Sequence, residues 1–112
     1  MTKQSLINEN NMSVALAANI IGDTWSLQII KELIENKKLR FSEIQDLVAN
    51  ICPRTLSQRL EKLKSQGIIS KNIVDARPIY CEYTLTNLGE KTSPIIQAMA
   101  AFNHSLKKEI TR

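Results

Sequence analysis

Val14, Ala17, Ala18 and Ile21 recur at the spacing of one helical face, and Gly22 closes the run. Asp23 or Thr24 can cap a second helix from about Trp25 to Glu35, which buries Leu27, Ile30, Leu33 and Ile34. After a polar break at Asn36 to Lys38, Ser42 is placed to cap a short third helix, with Gln45 reaching back and Ile44, Leu47 and Val48 facing inward. Asn50 to Cys52 turn the chain into a fourth helix over about 53–66. There Pro53 suits the first turn, where its missing amide proton has no partner to lose. Leu56, Leu60 and Leu63 form a buried seam, and Gly67 supplies a left-handed stop. Beyond Gly67 the period drops to two. Ile69, Lys71 and Ile73 alternate with Ser70, Asn72 and Val74, Asp75 to Pro78 break the run, and Ile79 to Leu85 resume it. This predicts a two-stranded hairpin over about 68–85 with an exposed tip at Arg77. Thr86 then caps a last helix over about 87–108, in which Ile95, Met99, Phe102, Leu106 and Ile110 follow at helical spacing. Pro94 inside it predicts either a kink or a restart.

A chain of 112 residues, 43% apolar, has room for one domain and one core. The expected organisation is a loose tail over 1–11, rich in Asn, Gln and Ser, followed by a single domain over 12–112. The uncharged stretch from Asn10 to Gly22 is too short and too polar to span a bilayer, and no signal peptide is evident, so the chain reads as soluble and cytoplasmic, with no membrane partner.

Charge changes the picture once it is located. The net +4 falls entirely between Lys38 and Arg77, where eight basic residues face four acidic ones; the flanks hold seven of each sign. Such a module suits a phosphate-rich partner. On a wheel of 100° per residue the leucine seam points one way, and Arg54, Gln58, Glu61, Lys62 and Ser65 point the other. Arg54 and Gln58, one turn apart near the amino end, have the chemistry to read guanine and adenine edges in a major groove. Thr55 and Ser57 flank them, and Arg59 and Lys62 lie at the border of the face, suited to backbone phosphates. A short helix, a tight turn, a helix with a basic face and a hairpin tipped by arginine are the parts of a winged helix-turn-helix, a mainly α fold with a small β-hairpin.

The chain also resembles the HxlR-type transcriptional regulators, winged-helix proteins of the broader MarR-like kind. The resemblance rests on Gly22 with Trp25, Arg40-Phe41-Ser42-Glu43-Ile44, Ile51-Cys52-Pro53-Arg54-Thr55-Leu56, the spacing of Leu60, Leu63 and Gly67, and Glu82 to Gly89. These five motifs stand in order between about residues 12 and 103. The resemblance implies a homodimer on a near-palindromic operator in double-stranded DNA, acting as a repressor. It implies dimerisation helices at the two ends, about 13–21 and 87–108, with Val14, Ala17, Ile21, Trp25, Ile95, Met99, Phe102 and Leu106 at the interface. Arg40, Ser42 and Arg77 join Arg54, Thr55, Ser57, Gln58, Arg59 and Lys62 as expected DNA contacts. Two positions depart from the family pattern. Met12 stands where oxidant-sensing members carry a cysteine, and Tyr80 stands where the wing often carries an arginine, which leaves Arg77 to make the wing contact.

Cys52 precedes a helix amino terminus with Arg54 close by, and both effects favour the thiolate; it is a candidate redox-sensitive residue, with a plain cap or packing role as the simpler reading. Cys81, within a strand, reads as packing. His104 has no ligand partner at metal spacing, so neither metal nor cofactor is expected. One histidine without a paired nucleophile and only three glycines leave no catalytic constellation, so an enzyme is not expected. The remaining rival is a winged-helix protein-interaction module, which would place apolar or acidic residues where Arg54, Gln58 and Lys62 stand. A pocket between the first, second and last helices is a place for a small hydrophobic effector, although Ile20, Trp25, Met99 and Phe102 fit a plain core equally well.

Overall fold

The computed structural model describes residues 14–110; the expected tail over 1–11, Met12 and Ser13, where the first helix is expected to begin, lie outside them. The described residues form α1 (14–21), α2 (Thr24–Asn36), β1 (Lys38–Arg40), α3 (Phe41–Leu47), α4 (Pro53–Ser65), β2 (Ile69–Val74), β3 (Tyr80–Leu85), α5 (Asn87–Glu90) and α6 (Ser93–Ile110). The fold is mainly helical with one small antiparallel sheet, a winged helix-turn-helix.

Periodic apolar positions from every central element meet in one core. Ile29, Ile30 and Leu33 of α2, Ile44 of α3, Leu56, Leu60 and Leu63 of α4, and Ile68, Ile69 and Tyr83 of the wing are buried there. In α2 the inner face is rotated from the predicted one. Ser26 and Ile29 are buried, while Leu27 and Ile34 are half-buried. The reason is that α2 serves two neighbours: Ile29, Ile30 and Leu33 face the core, and Leu27 and Ile34 face α6.

The sheet has three strands, not the two of a simple hairpin, in the order β1-β3-β2. Part of the predicted polar break is in fact an edge strand, with Lys38 opposite Thr84, Leu39 opposite Tyr83 and Arg40 opposite Glu82. Three residues with one apolar member are too few to show a period of two, yet Leu39 is buried beside Tyr83. Because β1 ends at Arg40, α3 begins earlier than the cap at Ser42 would allow. Glu43 Oε1 accepts the Arg40 amide at 2.7 Å, the role expected of Gln45, and Ser42 lies exposed in the first turn. Leu47, expected inside, is 46% exposed at the end of α3, while Val48 just beyond it is buried.

The last predicted helix is two. Thr86 Oγ1 accepts the Gly89 amide at 3.0 Å and opens α5, but the helix stops after one turn. Gly89 is pressed beneath the wing, where a Cβ would collide with the Ile68 carbonyl oxygen. Thr92 Oγ1 donates to Gly89 O at 2.6 Å, and α6 restarts with Pro94 in its first turn, where no helical amide is lost. No residue of α6 is buried, and its apolar row Ile95, Met99, Phe102, Leu106, Ile110 stands open.

Candidate nucleic-acid interface

α4 is held at both ends and along one side. Pro53 occupies its first turn after the Cys52 cap, Gly67 takes φ 78° just beyond its end, and the three leucines of the seam are buried. Burial of that seam determines the opposite face: Arg54, Ser57, Gln58 and Glu61 are exposed, and Thr55 and Lys62 are half-exposed at its edges. The basic residues Lys62 and Lys64 fall in the last turn, where they also complement the negative end of the helix dipole.

Cys52 is exposed, and its Sγ lies 3.2 Å from Thr55 Oγ1, to which it donates. The Thr55 hydroxyl, then the Thr55 amide, hold the thiol below its ordinary pKa by stabilising the thiolate. The Thr55 side chain is therefore turned toward the amino end of its own helix.

Arg59 departs from its expected role as a phosphate contact. Its Nε donates to Asp23 Oδ1 at 3.1 Å, across thirty-six residues of sequence, and both side chains are 31% exposed. The same carboxylate caps α2, with Oδ1 accepting from Ser26 N at 2.9 Å and Oδ2 from Ser26 Oγ at 2.7 Å. Partial burial pushes the Asp23 pKa up, but the Ser26 hydrogen bonds and the Arg59 guanidinium outweigh it and hold the group below its usual value.

The wing packs against α4 through β2, and the start of α3 follows directly on the edge strand β1. Ser42 is exposed, and the Arg40 guanidinium stacks over the Tyr80 ring, 3.5 Å from its centroid. Tyr80, singled out as replacing a wing arginine, is thus the platform on which another arginine rests. Lys38 of the edge strand β1 lies 3.9 Å from Glu82 of the central strand β3. Arg77 is exposed between β2 and β3, joined to Pro78 by a cis peptide, with Ile73 and Ile79 also exposed nearby. The structure therefore brings Arg54, Ser57, Gln58 and Lys62 onto one open face and takes Arg59 away from it. Tyr80 and Asp23 are the partners that sequence reading missed: nothing in a linear pattern pairs Arg40 with Tyr80 or Asp23 with Arg59.

The expected interface residues divide as well. Val14 and Ala17 are exposed on α1, and Ile95, Met99, Phe102 and Leu106 on α6. Ile21 is instead buried in the chain's own core, and Trp25 packs half-buried against it. A groove of about 520 Å³ runs between α2 and α6, lined by Leu27, Ile34, Ile96 and Met99 among others. Among the described residues no cluster of His, Cys, Asp and Glu could hold a metal ion, and no helix is long and apolar enough to cross a membrane.

A family model described as HxlR-like helix-turn-helix matches residues 20–111. The chain is 34% identical over 80 residues to an uncharacterized HTH-type transcriptional regulator, YvaP, of Bacillus subtilis (strain 168), covering 71% of this chain and 73% of the relative. Among solved structures, the redox regulator HypR in its reduced form superposes with a TM-score of 0.81 at 26% identity, covering 88% of this chain and 97% of that one. A MarR-family transcriptional regulator from Porphyromonas gingivalis W83 superposes with a TM-score of 0.76 at 33% identity, covering 81% of this chain and 88% of that one.

Proposed function

The chain belongs to the HxlR-like helix-turn-helix family of DNA-binding transcription regulators, and from that premise we propose that it works in the cytoplasm as a homodimeric repressor on a near-palindromic operator. The observation that carries this reading is the open face of α4, which keeps Arg54, Ser57 and Gln58 free while the leucine seam is sealed. Arg54 pairs with a guanine and Gln58 with an adenine in the major groove, and Thr55 and Ser57 support them from the flanks. Lys62, Ser42, Arg40 on its tyrosine platform and Arg77 on the wing hold phosphates to either side. Two such helices, one from each protomer, enter successive major grooves roughly 34 Å apart. The exposed apolar row of α6, with Val14 and Ala17 of α1, is the surface the partner covers. A dimer of this size represses by occluding polymerase. Cys52 is its candidate oxidant-responsive thiol, on the strength of its exposure and its contact with Thr55, and the groove between α2 and α6 is the candidate effector pocket.

The test is binding to duplex fragments that the purified protein retains from its own genome. Arg54→Ala should cost roughly 1–3 kcal/mol and relax sequence preference, whereas Lys62→Ala should weaken all duplexes alike and lower the salt slope by about one. An unchanged affinity in Arg54→Ala removes the reading role. A flat salt profile in the wild type favours the protein-interaction module instead.

A further inference from the structure

Asp23 stands where three elements meet. Gly22, just past α1, donates its amide to Ala18 O at 2.7 Å, and the next residue, Asp23, is extended at φ −96° and ψ 154°, so the chain passes from α1 into α2 through it. Its one carboxylate receives the Ser26 amide, the Ser26 hydroxyl and the Arg59 guanidinium, and so caps α2 while anchoring α4. The anchor lies off the leucine seam. Apolar burial at Leu56, Leu60 and Leu63 holds α4 against the core but is non-directional, so it resists separation more than it resists rolling of the helix about its axis. A charge-assisted hydrogen bond from the side of the helix supplies the missing direction. Roll matters because Arg54 and Gln58 project away from the axis, and a paired hydrogen bond to a base edge tolerates little displacement.

Resting on the DNA-binding reading above, we propose that Asp23 is a positioning residue for the reading helix: through Arg59 it sets the roll of α4, and because it also joins α1 to α2, it ties the aim of Arg54 and Gln58 to the placement of α1. Strain applied to α1, whose outer face is open to a partner, therefore reaches the operator contacts through one ion pair. Arg59 in this role touches no DNA.

The experiment compares the full-length wild type with Asp23→Asn, Arg59→Gln and the double variant. Asparagine keeps the shape of the side chain and the oxygen that caps the Ser26 amide while removing the charge that holds the guanidinium, and its Nδ2 donates to Ser26 Oγ where Oδ2 accepted from it. Binding is read by fluorescence anisotropy on a retained genomic operator and on a scrambled duplex across a salt series. Each single variant should lose about tenfold in operator affinity, with the scrambled duplex and the salt slope unchanged, and the double should be no worse than either single. A merely stabilising role would lower the melting temperature without moving the ratio of operator to scrambled affinity. Additive losses in the double, or an Arg59→Gln variant that weakens both duplexes and lowers the salt slope by about one, would overturn the assignment. Amide hydrogen exchange across Leu56 to Leu63 gives a readout independent of DNA, and both singles should exchange faster there. Unchanged exchange overturns the tie itself, whereas a wild type that binds neither duplex removes the DNA-binding reading and leaves the exchange result standing. Should Arg59→Gln fail to fold, Arg59→Lys takes its place, keeping the charge but not the Nε–H.

Discussion

Cys52 shows how little chemistry separates a packing residue from a reactive one. Its thiol sits exposed at the cap of α4, and the hydroxyl of Thr55 beside it favours the thiolate, the form that reacts with peroxide to give a sulfenic acid. Oxidation would break the contact with Thr55 at the amino end of α4. Operator binding by the wild type is therefore expected to fall severalfold after peroxide treatment, and binding by Cys52→Ser to stay unchanged. An equal response in the two proteins would end the idea. The same lesson applies to the arginines, which share a charge but not a fate. Arg54 is left open, Arg40 is stacked on Tyr80, and Arg59 is paired with Asp23. Which of the three a sequence motif calls a DNA contact depends on neighbours that lie far away along the chain.

At the scale of the element, α4 and the wing share one hinge point. Gly67 takes φ 78° between the Gln66 cap and Ile68, and nothing lies within 4 Å of where its Cβ would be, so any cost of a side chain there is conformational rather than steric. Gly67→Ala should destabilise the protein by about 1–2 kcal/mol, measured as a lower midpoint in urea unfolding at unchanged slope. No loss of stability would show that the left-handed turn is not needed. α5 and α6 follow the same logic in reverse. There the collision that any Cβ at Gly89 would make with the Ile68 carbonyl keeps the short helix tight against the wing, and Pro94 starts α6 in a new direction. Helical periodicity ran straight through this junction, because spacing records which residues share a face and not where the axis turns.

At the scale of the whole molecule, the chain is more open than its length requires. Its radius of gyration is 16.6 Å, against about 13 Å for a compact domain of this size. The excess fits α6, which buries none of its residues and leaves Met99 and Phe102 at 47% and 68% exposure. A row of this kind is costly in water and calls for a partner. On the proposed dimeric reading the wild type should sediment as a dimer and the double variant Met99→Glu with Phe102→Glu as a monomer that keeps its helical circular dichroism and loses most operator affinity, since one protomer reaches only one half-site. An unchanged mass would place the interface elsewhere.

The amino-acid sequence by itself determined the parts that depend on local spacing and turn chemistry. The leucine seam of α4, its proline start and glycine stop, the period-two wing and the basic central module are all read within a window of a few residues, where side-chain direction follows from backbone period alone. Tertiary structure alone decided what depends on packing between distant segments. Leu39 became a strand because β3 offered an edge, and Glu43 became the cap because that strand ended at Arg40. Ile21 and Trp25 turned inward because α1 and α2 fold over the core, and Arg59 left the open face of α4 because Asp23 stood opposite it. A one-dimensional pattern states what each face of an element carries, but which neighbour that face meets is set by how all the elements close around one core.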